Sequence, residues 1–137
     1  MDPIKIDITI LAPVEKVWKY FNEPEHITKW NFAHESWHCL SAENDLRPGG
    51  KLKARMEAKD KSFGFDFEGI YDEVVPNAAI RYHLEDGRKV DVIFDSIDAN
   101  TTKVTEIFDP EKQNSVEMQR EGWYSILNNF HKYVENN

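Results

Sequence analysis

The sequence predicts an α+β fold: a curved antiparallel sheet of seven strands around one long C-terminal helix, with two short helices after the first strand. Three observations carry that prediction. Within residues 114–134, Val116, Gln119, Trp123, Ile126, Leu127, Phe130 and Val134 recur at spacings of three and four, which makes one apolar helical stripe. Upstream, short segments alternate apolar and polar residues, and the later ones are joined by turn signals short enough for antiparallel neighbours. Such a sheet has one dry face, and only the C-terminal helix is large enough to cover it.

Each element has its own reason. Ile4, Ile6, Ile8 and Ile10 alternate with Lys5, Asp7 and Thr9, as a half-buried strand does. Ala12-Pro13 ends it, with Pro13 at a helix start, where its missing N–H is harmless. Val14, Val17, Trp18 and Phe21 mark the inner face of that helix; Asn22-Glu23-Pro24 breaks it, and residues 24–29 form a second short turn. Trp30, Phe32 and Trp37 then crowd a loop, as a plug on the core or as the mouth of a pocket. Residues 37–43 read as a strand, followed by the turn Arg47-Pro48-Gly49-Gly50. Leu52, Ala54, Met56 and Ala58 alternate with Lys51, Lys53, Arg55 and Glu57. Phe63, Phe65, Phe67, Gly69 and Tyr71 share one face of a long strand, with Gly69 expected at a bulge or bend. Pro76-Asn77 leads into Ile80, Tyr82 and Leu84, and Asp86-Gly87 is a hairpin turn. Val90, Val92 and Phe94 form the next strand, and Asn100 turns the chain into Val104 to Phe108. After Asp109-Pro110, Asn114 is the expected helix cap, with Glu117 reaching back as a capping box. There is no repeat or linker, so residues 1–137 read as a single domain.

With 25 acidic against 17 basic residues the net charge is −8, and the only basic cluster, Lys51, Lys53 and Arg55, is one wet strand face. Phosphate backbones would be repelled, so no nucleic acid is expected as a partner. Cys39 is alone, which excludes an intramolecular disulfide and suits a reducing compartment. No secretion signal and no membrane-spanning stretch is present, and a soluble cytoplasmic protein is expected.

Five stretches then carry a resemblance: Ala12-Pro13-Val14-Glu15-Lys16-Val17-Trp18; the Gly49-Gly50 turn; Gly69-Ile70-Tyr71-Asp72-Glu73-Val74-Val75-Pro76; Thr102-Lys103-Val104-Thr105; and Gln119-Arg120-Glu121-Gly122-Trp123. In their order and spacing they resemble the helix-grip, Bet v 1 / START-like (SRPBCC) superfamily. The match is to the bacterial branch related to the C-terminal domain of the Hsp-90 ATPase activator. The resemblance covers nearly the whole chain and implies a cavity for apolar or amphipathic small molecules. It does not imply one chemistry, since members include binders, cyclases and co-chaperone domains.

No motif demands catalysis. His34, His38 and Cys39 would need a helix to meet at one metal, whereas 37–43 reads as a strand, where residues four apart stand about 13 Å apart. No metal and no cofactor is expected. Arg47-Pro48-Gly49-Gly50-Lys51 lacks the spacing of a phosphate loop, and Ser36, Ser41, Ser62 and Ser125 lie in no nucleophile elbow. His83 should face water, and His131 lies near the helix C-terminus, which favours a cation. Glu106 alternates with Val104 and Phe108. Buried, it would be a general acid or base with a raised pKa; the reading preferred is that the last strand twists and leaves it at an edge.

Two residues in the helical stripe are out of keeping with a solid core. Gln119 buries an amide, and Gly122 costs about 1 kcal/mol against Ala. A hollow would explain both, with Gly122 leaving room and Gln119 aimed at a guest. The expected function is therefore a binding module for an apolar or amphipathic molecule such as a lipid. The expected pocket comprises Trp30, Met56, Phe67, Tyr82, Phe94, Gln119, Gly122, Trp123 and Ile126. The alternative is a chaperone-interaction module, as the resemblance implies, although the eukaryotic activator uses an additional domain for its main chaperone contact. A weaker alternative is a cyclase or hydrolase using Glu106 or a pocket tyrosine; the balance is against an enzyme.

Overall fold

A computed structural model describes residues 2–137. In chain order the elements are β1 (Ile4–Ile10), α1 (Val14–Asn22), α2 (Pro24–Trp30), β2 (Trp37–Asn44), β3 (Lys51–Ala58), β4 (Gly64–Val75), β5 (Ala79–Leu84), β6 (Lys89–Asp98), β7 (Thr101–Phe108) and α3 (Val116–Asn136). This is the expected order of elements.

The sheet runs β1-β7-β6-β5-β4-β3-β2, with every neighbour antiparallel. The two short helices carry the chain from one edge, β1, to the other, β2. Hairpins then bring it back until β7 pairs with β1, Glu106 opposite Ile6. The last strand is therefore interior to the sheet. Register shifts fall at Leu40 in β2, Asp72 in β4 and Ile97 in β6. An extra residue on one strand increases local twist and bends the sheet, and all three bulged residues are exposed. Gly69, expected at a bulge, keeps regular pairing with Leu52 and Leu84; its role is to admit a neighbouring ring, described below.

Ile4, Ile10, Val17, Ile80, Val90, Val92, Val104 and Phe108 are fully buried between sheet and helices, together with Leu127, Phe130 and Val134 of α3. The α3 stripe is thus correct in phase but shorter than expected, because Val116 is exposed. The cap also differs. Ser115, not Asn114, caps the helix, its Oγ accepting from the Met118 N–H at 3.1 Å. Glu117 makes no capping box and pairs with Arg120 instead. Asn114 lies outside the helix because its carbonyl is engaged by the Gln119 side chain.

Side-chain bonds to backbone carbonyls lock the short helices in place. Trp30 Nε1 donates to Tyr20 O at 3.0 Å, Asn129 Nδ2 of α3 donates to Trp30 O at 3.0 Å, and Thr102 Oγ1 donates to Ala12 O at 2.8 Å. Among the described residues no helix is long and apolar enough to cross a membrane.

Candidate functional site

Helix α3 lies closest to β1 and the two short helices. Over β3 to β5 the sheet curves away from it, and a cavity of about 250 Å³ remains. The short helices supply Phe21, Ile27 and Trp30; the strands supply Leu52, Met56, Phe65, Phe67, Tyr71, Tyr82 and Leu84; α3 supplies Trp123 and Ile126. Trp123 is held by stacking on Phe108 at 3.9 Å between centroids and meets Phe67 edge-on at 6.2 Å. Phe65, 47% exposed, and Arg88 belong to the same wall and mark its mouth. The Arg88 guanidinium is already engaged, donating to Asp86 Oδ2 at 2.8 Å.

Two sets of polar groups line the cavity. One is internally satisfied: Tyr71 Oη donates to Asn44 Oδ1 at 2.6 Å, Asn44 Nδ2 to Asn22 O at 2.7 Å, and Asn22 Nδ2 to Trp18 O at 2.9 Å. The other is open. Among the described residues neither the Tyr82 hydroxyl nor the Glu106 carboxyl forms a hydrogen bond, although Glu106 is only 8% exposed and Tyr82 6%. Burial disfavours the ionised forms. It pushes the Glu106 carboxyl up to about 8 and, with a smaller contribution from Glu106 and Tyr71, pushes Tyr82 well above the ordinary range.

The expectation that Glu106 lies at an edge is therefore overturned. β7 is flanked by β1 and β6, so a twist cannot expose it. The alternation of Val104, Glu106 and Phe108 points inward, and that local signal prevails over the expected twist. Asn44, Tyr71 and Arg88 join the wall without having been expected there, since nothing local in the sequence distinguishes them.

Of the expected pocket residues, Trp30, Met56, Phe67, Tyr82, Trp123 and Ile126 share the cavity wall. Phe94, Gln119 and Gly122 do not. Phe94 is buried beneath α1, edge-on to Trp18 at 5.1 Å and to Phe21 at 5.4 Å. Gln119 is spent on the loop before α3: its Oε1 accepts from Glu111 N at 2.8 Å, and its Nε2 donates to Glu111 O at 3.1 Å and Asn114 O at 2.9 Å. That accounts for a buried amide without any guest. Gly122 is half-buried and is not part of the cavity wall, and a Cβ there would meet nothing within 4 Å.

His26, His34, His83, His131 and Cys39 have protein partners of their own. His34 Nδ1 lies 2.8 Å from Ser36 Oγ, and Cys39, buried in β2, donates to Ser41 O at 3.4 Å. Burial raises the Cys39 pKa. His83 pairs with Asp72 on the outer face, as expected, and His131 with Glu135 near the end of α3. Glu23, Glu25 and His26 bring possible ligand atoms within 4.8 Å of one another, but the His26 ring stacks on Tyr20 at 4.1 Å and its Nδ1 lies 2.7 Å from Tyr133 Oη.

Comparison with known proteins agrees with this architecture. A family model described as Activator of Hsp90 ATPase homolog 1-like protein matches residues 11–135. Among curated proteins nothing matches. A solution structure of the AHSA1-like protein from Aeromonas hydrophila is 40% identical, covers 97% of this chain and 93% of its own, and superposes with a TM-score of 0.88. A solution structure from Cytophaga hutchinsonii is 49% identical, covers 98% and 93%, and gives a TM-score of 0.84. A crystal structure from Chromobacterium violaceum, at 24% identity, 100% coverage of both chains and a TM-score of 0.86, shows the shared fold. The helix-grip arrangement and the family match over nearly the whole chain lead to one conclusion: this chain belongs to the Activator of Hsp90 ATPase homolog 1-like family, within the Bet v 1 / START-like helix-grip proteins.

Proposed function

We propose that residues 1–137 act as one binding domain that takes a small, mainly apolar molecule between α3 and the sheet. The observation that carries this is the cavity itself: about 250 Å³, apolar over most of its wall, with two polar groups inside it that no atom of the described residues satisfies. Small-molecule sites have this composition, an apolar wall with few polar groups to orient the guest. The opening between Phe65 and Arg88 gives a way in. The volume suits a guest of one or two rings rather than a long acyl chain. The test is an apolar dye whose emission rises on leaving water, titrated into the wild type and into Met56→Trp and Ile126→Trp, which fill the space from opposite walls. The wild type should bind at micromolar concentrations, and both variants at least tenfold more weakly. Dye binding that both filled variants retain would refute the cavity as its site.

The family match speaks more directly for a second reading, that this domain acts on a chaperone, because the family description names an Hsp90 ATPase activator. Supporting it on the surface are Leu40, 51% exposed on edge strand β2, and Phe63, 73% exposed beside the start of β4. Exposed apolar groups near a strand edge favour a protein partner. Added to a purified Hsp90 from the same cell, the domain should then raise ATP hydrolysis, and Leu40→Asp with Phe63→Asp should abolish the increase. No change in hydrolysis at saturating domain would remove this reading.

A further inference from the structure

Resting on the cavity reading, we infer that the guest carries one basic nitrogen, which enters as an ammonium and is held by the Glu106 carboxylate and the Tyr82 hydroxyl oxygen. Among the described residues, Glu106 has no hydrogen-bond donor and no cation against it inside the hollow. Tyr82 sits two strands away on the same concave face, on β5, with Val90 and Val92 of β6 between the two positions in register. The cavity therefore has a mainly apolar wall and, beside its internally satisfied polar groups, one acidic side chain left without a partner.

The sign of the missing charge follows from what surrounds Glu106. The ionisable groups of the cavity wall are Tyr71 of β4, Tyr82 of β5 and Arg88 after β5. Tyr71 is committed to Asn44, and Arg88 to Asp86 at the mouth. The helices present no ionisable side chain to the cavity, and the register partners of Glu106, Ile6 and Val92, are apolar. A carboxylate guest would meet Glu106 with no free cation inside. A neutral guest would leave Glu106 protonated and gain one ordinary hydrogen bond. An ammonium supplies the counter-charge the site lacks, and charge-assisted hydrogen bonds are the stronger kind.

Binding is then coupled to proton release. Burial holds the Glu106 proton on up to about pH 8, and an ammonium beside it drives that proton off. Affinity for an amine should rise more than tenfold from pH 6 to pH 8 and level off above that, until the amine itself loses its charge.

The test uses three molecules of one shape, 4-phenylbutylamine, 4-phenylbutanol and 4-phenylbutanoate, titrated by calorimetry into the wild type and Glu106→Gln at pH 8. The amine should bind the wild type at least tenfold more tightly than the alcohol, with the acid weakest. Glu106→Gln keeps the shape of the side chain and should bring the amine down to the alcohol. As a second measurement on the wild type alone, amine titrations at pH 7 in phosphate and in Tris should show close to one proton released. If the alcohol binds but the amine is no tighter, if the preference survives in Glu106→Gln, or if no proton is released, the inference is wrong while the cavity reading stands. If none of the three molecules binds and the apolar dye does not bind either, both fall together.

Discussion

The Tyr82 ring lies directly over the backbone of Gly69: a Cβ at position 69 would stand 2.7 Å from Tyr82 Cδ2 and 3.2 Å from Cε2. The two residues are on adjacent strands, and the ring occupies the place a side chain at 69 would take. Tyr82 is thereby turned into the cavity, edge-on to both Tyr71 at 5.9 Å and Phe67 at 6.3 Å. Gly69→Ala should force that buried ring to move and cost about 1–3 kcal/mol, as overpacking does. Urea unfolding measures the loss, and a variant as stable as the wild type would show that the ring moves freely.

Gln119→Leu should cost roughly 1–3 kcal/mol, because it strips partners from Glu111 and Asn114 in the loop before α3. The same substitution should leave dye binding within twofold of the wild type, since Gln119 is outside the cavity wall. Stability and binding measured on one preparation separate the two roles. A large loss of binding with unchanged stability would put the amide back in the site.

Gly122→Ala should stabilise the protein by up to about 1 kcal/mol. A Cβ there enters open space, and alanine restricts the unfolded chain more than glycine does. Even Gly122→Leu should bind the dye as the wild type does. A lower melting temperature for the alanine variant would contradict this.

Glu106 should make stability depend on pH. Burial raises its pKa from 4.5 to about 8. Between those values the folded protein keeps a proton that the unfolded chain has lost. Stability therefore falls as pH rises through that window and levels off above it. Glu106→Gln removes this dependence. Each tenfold difference in proton affinity between the folded and unfolded chain is worth ~1.4 kcal/mol, so the variant should exceed the wild type by a few kcal/mol at pH 8 and differ little from it at pH 4. Urea midpoints of both proteins at the two pH values check the sign. An equal difference at pH 4 and pH 8 would mean that Glu106 titrates normally.

Sequence periodicity alone determined the order of elements and which way most side chains face. Alternation put Ile4, Ile6 and Ile10 on the dry face of β1, as Ala54, Met56 and Ala58 are on β3, and spacing of three and four placed Leu127, Phe130 and Val134 under α3. These are local properties, set by a repeat of two along a strand and 3.6 along a helix. Only the tertiary structure decided what each inward side chain meets. Glu106 faces a cavity because β1, whose Ile6 pairs with it from 100 residues away in sequence, closes the sheet beside β7 and makes that strand interior. Gln119 is satisfied because the loop at 111–114 folds back over the start of α3. Phe94 is core because α1 drops onto it, while Met56, with the same alternation, is left facing open space. Periodicity fixes direction within a segment, but a partner or a void opposite it depends on segments brought together from far along the chain.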